Sequence, residues 1–448
     1  MTYHPGDICQ DLLKAARAAG ADAADAIVLQ GSSISVEVRK GALEHAERSE
    51  DTDLGLRVLL GRRQALVSSS DMRPEALTEM AERAVAMARE APEDPFCGLA
   101  EAAELAADVS AEALDLSDPA DPPTPEALMQ DALAAEAAAM AVEGVTQVSD
   151  AAAGYGAHYV HLAASNGFSG GYARTGRSLS CVAISGSGTG MERDYDGDSR
   201  THQSDLRQPD EIGRSAGERA VSIQGARKPQ TGTFPVLFDE RISSSLIGHL
   251  MAACNGASVA RGSSWLSDGL HTQVLPEGLS LIEDPHRPRA SSSRPFDAEG
   301  LATRRRTVID KGVLTGWTLD LASGRKLDMP STGNATRGVS SPPSPSSWNL
   351  SLTQGTASRA DLMRDLGTGL LVTSMIGSTI NPNTGDYSRG ASGFWIENGE
   401  IAYPVNECTI AGNLRDMLLR IIPANDARTY PSRVVPSLLI EGMTLAGN

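Results

Sequence analysis

The chain has 448 residues, of which 41% are hydrophobic and 21% are charged. These fractions are typical of soluble globular proteins and argue against a globally disordered chain, and the length predicts two or three domains. Acidic residues outnumber basic ones by 57 to 39, which gives a formal charge of -18. Because a surface of this sign repels phosphates and anionic lipid, we expect no direct binding to nucleic acid or to a membrane.

The N-terminal segment and the cysteines indicate a cytoplasmic protein. No basic stretch followed by an apolar one opens the chain, and no run approaches about 18 uninterrupted apolar residues. The five cysteines are widely spaced and never form a CxxC pair. We therefore expect reduced thiols rather than a disulfide framework or a structural zinc site.

The first half of the chain predicts helices and strands in alternation. A helical stripe of Leu and Ala opens the chain and ends at Gly20, and three further helices are predicted over residues 73–91, 125–142 and 209–223. Short strands punctuated by glycine are predicted over residues 26–30, 33–39, 54–60 and 64–69. Residues 145–202 alternate small, polar and apolar side chains between glycines, which favours long antiparallel hairpins.

Two composition shifts divide the chain. Residues 93–125 are rich in Pro, Ala, Asp and Glu and predict a linker or surface excursion, while the connector GARKPQTGTFPVLFD marks a domain boundary. Beyond it the pattern is mostly β, with helices predicted over residues 240–254, 359–366 and 409–422 and a Ser/Pro/Gly-rich loop over 331–348. The predicted fold class is α+β with two domains: an N-terminal α/β sheet-and-helix domain, residues 1–228, and a mostly antiparallel β C-terminal domain, residues 229–448.

The run TGDYSRGASGFWIENGEIAYPV near the C-terminus predicts a glycine-rich β-hairpin. Asn398 and Gly399 form the favoured hairpin-turn dipeptide, and packing by Trp395 and Tyr403 accounts for most of the run. A functional interpretation is that a loop of three polar residues touches a peptide or a partner. The candidate contact residues are Asp386, Tyr387 and Arg389.

The longer stretch NPNTGDYSRGASGFWIENGEIAYPVNECTIAGNLRDMLLRI, residues 381–421, resembles the C-terminal signature of the PmbA/TldE branch of the TldD/PmbA family. Residues 256–264, residues 295–317 and the ARKP linker match the same family in the same order. The resemblance covers more than half of the chain, and the first 140 residues are much less diagnostic.

The resemblance also implies where a metal would be bound. The catalytic TldD-type subunit of the family carries HExxxH on a helix early in its C-terminal domain, plus a cysteine farther on. Two imidazoles and a thiolate hold zinc and leave a position for water, whose pKa falls to about 7. In this chain the corresponding helix reads DERISSSLIGHLMAACNGASVARGSS, with Ile247, Gly248 and Ala252 where His, Glu and His would be.

His249 is the only imidazole on that helix, and no second His or carboxylate follows at the spacing a zinc site needs. His249 is therefore interpreted as a helix-face or partner-contact residue rather than a ligand. No catalytic residue and no metal cofactor is expected in this chain, and the resemblance implies that zinc is bound by the partner subunit.

Other candidate sites are weaker. His158 and His161 are three residues apart on a predicted strand, where they face opposite sides of the sheet. Asp194, Asp196 and Asp198 imitate the start of a calcium loop without its later ligands and predict an acidic hairpin end. No GxSxG elbow, P-loop or strand-to-helix GxGxxG occurs.

The resemblance implies a non-catalytic TldE/PmbA-like subunit of a heterodimeric zinc metallopeptidase. Its expected partners are a TldD-like subunit and unfolded peptide substrates, with a homodimer formed when the chain is alone. The alternative is a homodimeric regulatory or peptide-binding protein without a proteolytic role. A third and weaker interpretation is an independent hydrolase with an unidentified site.

Overall fold

A computed structural model describes residues 4–447 of the chain. The first half forms a single six-stranded antiparallel sheet with four helices. Its strands are β1 (Ala23–Arg39), β2 (Ala42–Leu60), β3 (Arg63–Ser69), β4 (Val145–Ala164), β5 (Ser169–Ser185) and β6 (Glu192–Arg200), and its helices are α1 (Pro5–Ala18), α2 (Pro74–Glu90), α3 (Pro125–Met140) and α4 (Pro209–Ser222). The strand order is β3-β2-β1-β4-β5-β6, so β3 and β6 are the edges.

All four helices cover the same face of this sheet. Successive side chains of a strand point to opposite faces, and residues 26, 28 and 36 of β1 all point toward helices. The pair α1 and α2 packs over one half of the sheet, and the pair α3 and α4 packs over the other half. The amphipathic helices thus bury their apolar stripes together and leave the second face of the sheet open.

The open face lies toward the second half of the chain. Ile27 of β1 and Leu162 of β4 belong to it and form an apolar cluster with Phe168 and with Phe296 from the C-terminal half. The Phe168 and Phe296 rings meet edge to face, with centroids 5.0 Å apart. This contact joins the sheet to the remaining part of the molecule.

The second half is mostly β. Its strands are β7 (Gly232–Phe238), β8 (Leu281–Glu283), β9 (Arg306–Asp310), β10 (Val313–Leu314), β11 (Ala335–Thr336), β12 (Ser344–Pro345), β13 (Leu350–Leu352), β14 (Gly369–Ile380), β15 (Asp386–Glu397), β16 (Glu400–Asn413), β17 (Ile422–Pro423), β18 (Arg433–Val434) and β19 (Leu438–Ala446). Its helices are α5 (Glu240–Ala253), α6 (Gly256–Ala260), α7 (Leu321–Lys326), α8 (Arg359–Leu366) and α9 (Leu414–Leu418).

The principal sheet of this half closes on itself. Its order is β16-β15-β14-β7-β19-β17, and β16 also pairs with β19. One face of these strands packs on α5 in the largest apolar core, which includes Phe238, Leu246, Leu250 and Trp395. Residues of the other face pack on α8. Helix α5, where the resemblance places the metal motif, is therefore fixed against the closed sheet.

The two-domain α+β fold expected from the sequence is what the structure shows. The exact division at residue 228 stays a prediction. The predicted excursion over residues 93–125 runs between the two halves, since the Ala106 N–H donates to the Gly300 carbonyl at 2.9 Å. No helix within residues 4–447 is long and apolar enough to span a membrane.

Three predicted elements need correction. The separate strands 26–30 and 33–39 are one strand, because Gly31 is paired on both sides and the His158 ring lies against its bare backbone. The helix predicted over 409–422 begins as a strand, because residues 409–413 pair with β15. Only Leu414–Leu418 are helical. The loop over 331–348 contains the paired strands β11 and β12.

Candidate functional site

Helix α5 is the natural starting point, because the resemblance places the metal motif there. The Asp239 carboxylate caps it by accepting the Arg241 N–H at 3.1 Å. Ile247 is fully buried in the core, whereas Ala252 is exposed. Residues five apart on an α-helix are rotated by roughly 140° from each other, so these two positions do not share a face.

A cation lies over the second position of the motif, where the resemblance places a glutamate. A Cβ atom built on Gly248 would lie only 2.8 Å from Nη1 of Arg433, so the guanidinium rests on the bare helix backbone. Arg433 begins β18 and is distant from α5 in sequence. A positive charge at this point opposes the binding of a second cation such as Zn²⁺.

His249 lies on the same helix among cationic and aromatic side chains. Its ring meets that of Tyr387 edge to face, with centroids 6.1 Å apart. Burial, together with the nearby charges of Arg389 and Arg433, lowers the pKa of His249. Its Nε2 atom is buried and has no hydrogen-bond partner among the described residues. His249 is thus held neutral at neutral pH.

Tyr387 and Arg389 face α5 from strand β15. They are two residues apart on the strand and therefore share a face. Tyr387 is 1% exposed, its hydroxyl donates to the Met375 sulfur at 3.3 Å, and burial raises its pKa to about 12. The structure thus brings together three of the four predicted contact residues, His249, Tyr387 and Arg389.

Asp386 is the exception. It is exposed on the other face of β15, where its carboxylate accepts from Thr384 Oγ1 at 2.6 Å and from Asn413 Nδ2 at 3.1 Å. These two hydrogen bonds lower the pKa of Asp386. The predicted contact loop is therefore a strand, with Asp386 turned away from the other two residues. Whether these residues touch a peptide or a partner stays a prediction.

A cleft of about 340 Å³ opens beside α5. Glu240, Arg241 and Ser244 of the helix line one side, and Trp348, Arg428 and Arg433 are among the residues of the other. Arg428 Nε and Glu240 Oε2 form an ion pair at 2.8 Å. Burial raises the pKa of Glu240 against the opposing effect of Arg428. Three guanidiniums and one carboxylate give this cleft a positive character.

Sequence reasoning did not find Arg428 and Arg433. Both lie near the C-terminus in a stretch with no motif, and only the folding of β18 beside α5 brings them to the cleft. Arg428 lies in an irregular segment and Arg433 on a two-residue strand, so neither position gives a local signal of such a role. The sequence does contain one indirect signal. Gly248 has no side chain, which leaves space on the helix surface for a long side chain such as that of Arg433.

The side chains present around α5 do not fit a zinc ion. Within residues 4–447 no group of three or more His, Cys, Asp or Glu side chains is arranged to hold a metal. Cys254 follows the helix, and burial raises the pKa of its thiol to about 12, so it is not a ready thiolate ligand. The neighbouring guanidiniums add repulsion of any cation.

Comparison with known proteins identifies the family of the chain. Profiles described as PmbA/TldA metallopeptidase domain 1, central domain and C-terminal domain match residues 24–88, 118–223 and 231–447. The Metalloprotease PmbA of Escherichia coli O157:H7 is 38% identical over 95% of this chain and 92% of its own length. The Metalloprotease PmbA homolog of Haemophilus influenzae is 36% identical over 96% of this chain and 93% of its own length.

Solved structures show the same architecture. A protein of Bacteroides thetaiotaomicron described as a candidate modulator of DNA gyrase superposes with a TM-score of 0.91 at 28% identity, covering 99% of this chain and 98% of its own. TldE from Thermococcus kodakarensis superposes with a TM-score of 0.85 at 20% identity over 98% of this chain and 100% of its own, which shows a common fold. With matching profiles along most of its length and close relatives over nearly all of it, the chain belongs to the PmbA/TldD metallopeptidase family.

Proposed function

We propose that this chain is the non-catalytic, TldE/PmbA-like subunit of a heterodimeric zinc metallopeptidase that degrades or trims unfolded peptides. In this proposal a TldD-like partner carries the zinc. The observation that supports it best is the state of helix α5, where the Arg433 guanidinium covers Gly248 at the position of the family's glutamate. Five free cysteines, four of them buried, suit the reducing cytoplasm in which we place the complex.

Zinc-dependent hydrolysis needs side chains that α5 does not provide. The metal needs three protein ligands and an open position, and a nearby carboxylate must accept the proton of the attacking water. At the aligned positions this helix offers an aliphatic side chain, a bare backbone and a methyl group. A partner subunit with its own motif would supply all of these groups.

The role left to this chain is to support and shape the complex. It would contribute interface area and stabilise the fold of its partner. An extended peptide can add to an exposed sheet edge through main-chain hydrogen bonds, with little preference for sequence. The edge strands β3 and β6 each pair with a single neighbour and are the candidates for such contact. Binding of this kind suits a peptidase of broad specificity.

Reconstitution of the purified subunits tests the proposal. We expect this chain alone to leave an unfolded peptide intact, and the mixture with its TldD-like partner to cleave the peptide in a chelator-sensitive way. Light scattering after size-exclusion chromatography should show the heterodimer. Chelator-sensitive hydrolysis by this chain alone would overturn the division of roles. A persistent homodimer that fails to capture the partner would instead support the alternative, a homodimeric regulatory or peptide-binding protein.

A further inference from the structure

A second cleft, of about 500 Å³, lies between the open face of the N-terminal sheet and the C-terminal half. Its volume is within the range of small-molecule sites. Aliphatic side chains of the two central strands line it, and the rings of Tyr172 and Phe296 meet edge to face at 5.6 Å. The aliphatic residues are Ile27, Leu29, Val160 and Leu162.

Two guanidiniums line this cleft without a carboxylate partner. Arg174 uses both Nη atoms to donate to the backbone carbonyls of Ser291 and Ser293. Arg294 lies over the Trp348 ring at 3.8 Å, and its buried Nε has no hydrogen-bond partner among the described residues. Neither guanidinium forms an ion pair within residues 4–447. Burial lowers the pKa of both arginines, and at Arg294 the charge of Asp297 offsets only part of this effect.

The acidic residues of the cleft do not neutralise these cations. Asp297 is buried, but its two oxygens accept the backbone N–H groups of Glu299, Leu301 and Ala335 at 2.9–3.0 Å. Asp51 and Asp53 are exposed. The inner, half-buried part of the cleft is therefore cationic, whereas its exposed side is acidic.

A charge that is partly removed from water and has no ion-pair partner is costly, and an anion that enters such a site gains the interaction that the protein lacks. A guanidinium presents planar donors that match the two oxygens of a carboxylate. Polar side chains such as Gln30, Ser32 and His158 also line the cleft, but the aromatic pair and the aliphatic floor favour an apolar group for the rest of the ligand. The acidic solvent side disfavours a second negative charge on the ligand.

We propose that this cleft binds a small apolar monocarboxylate. Its carboxylate lies at Arg174 and Arg294, and its apolar group lies between the aromatic pair and the aliphatic floor. Such a ligand is either a free arylalkyl or alkyl carboxylic acid or the C-terminal residue of a peptide. The site belongs to this chain alone and does not depend on a metal or a partner subunit.

Calorimetric titration of the full-length chain tests the charge requirement. The probes are 3-phenylpropanoate, its neutral amide 3-phenylpropanamide, and the peptide Gly-Gly-Phe. We expect at least one of the two carboxylates to bind about tenfold or more tightly than the amide, because the amide cannot form charge-assisted hydrogen bonds. Equal affinity for acid and amide, or no binding of either carboxylate at millimolar concentration, would overturn the proposal. Binding of the peptide identifies a peptide C-terminus, and binding of only the free acid identifies a small molecule.

Variants then locate the site. Arg294→Gln and Arg174→Gln should each weaken carboxylate binding by about tenfold. Arg294→Lys should recover part of the loss, because the charge returns without the planar donors. The exposed Arg62, on the turn between β2 and β3, provides the control Arg62→Gln, which should bind like the unaltered chain. Unchanged binding in folded Arg174 and Arg294 variants contradicts the assignment. If either variant is misfolded by circular dichroism, the acid-to-amide comparison on the unaltered chain still decides.

Discussion

Two buried carboxylates at the junction of the two halves, Asp297 and Glu299, show how burial raises the pKa of an acidic side chain. Burial raises the pKa of Asp297 to about 6, despite three backbone N–H donors and the neighbouring Arg294. Glu299, two residues later, is 8% exposed, and its pKa is raised by burial and by the charges of Asp297 and Asp320. Arg57 opposes this rise. Folding therefore favours the protonated form of Glu299.

The substitution Glu299→Gln should therefore stabilise the protein in a pH-dependent way. The carboxyl pKa is higher in the folded chain than in the unfolded chain, where it is about 4.3. Stability from this group is fully present below the unfolded pKa and is lost as pH rises through the folded pKa. Since the amide carries no charge, we expect Glu299→Gln to gain on the order of 1 kcal/mol at pH 7.5 and nothing near pH 4.

Urea unfolding at the two pH values measures this difference. Glutamine can keep the hydrogen bond that Glu299 Oε2 accepts from the Leu321 N–H at 2.9 Å, so the comparison isolates the charge. The exposed Glu277 provides the control Glu277→Gln, for which no such gain is expected. A gain of the same size at both pH values would mean that packing, not ionisation, separates the variants.

At the scale of the element, two helical glycines differ in what surrounds them. A Cβ on Gly248 of α5 would meet the flexible end of Arg433 at 2.8 Å. A Cβ on Gly213 of α4 would meet the backbone carbonyl oxygen of Ala135 in α3 at 1.9 Å. A guanidinium can move aside, whereas a helix backbone cannot do so without separating α3 from α4.

We expect Gly248→Ala to change the free energy of unfolding by less than about 1 kcal/mol, because the better helix propensity of Ala offsets the displacement of Arg433. Gly213→Ala should destabilise the protein by about 2 kcal/mol or more through overpacking. Chemical denaturation of both variants provides the measurement, and each serves as the control for the other. Equal effects would show that Arg433 is as rigidly held as the backbone of α3.

The sequence predicted those elements whose local pattern agrees with their tertiary context. Helix α5 is one, and the hairpin turn is another, since Asn398 and Gly399 adopt the positive φ angles of 55° and 80° expected there. The segment 409–422 was misassigned because its apolar spacing also suits a helix, and only pairing with β15 and β19 makes its first part a strand. Arg433 was missed because nothing local distinguishes it.

At the scale of the whole molecule, the two halves are joined by buried charge as well as by apolar contact. Asp25 of β1 is bound both by Arg57 of β2 and by Arg337 from the C-terminal half. The Arg337 side chain is 0% exposed. Burial alone would raise the pKa of Asp25, but the two guanidiniums outweigh it and lower the pKa. An ion pair between Asp25 and Arg337 thus links the two halves at a site closed to water.

The substitution Arg337→Met should weaken this junction more than an equivalent change elsewhere. Removing one member of a buried ion pair leaves uncompensated charge, and the usual loss is about 3–5 kcal/mol. Because Arg57 still binds Asp25, we expect a loss of about 2–3 kcal/mol, at or just below the lower end of that range. The free energy of unfolding from urea titration measures it.

Arg359→Met is the matched control. Arg359 also binds a buried aspartate, Asp239, but its own side chain is 48% exposed, and Asp239 keeps Arg241 as a second partner. Water replaces an exposed guanidinium at little cost, so we expect a loss of at most about 1 kcal/mol. Equal losses in the two variants would contradict the importance of burial. A larger loss for Arg337→Met would show that exclusion of water, and not the number of ion pairs, makes the junction between the halves stable.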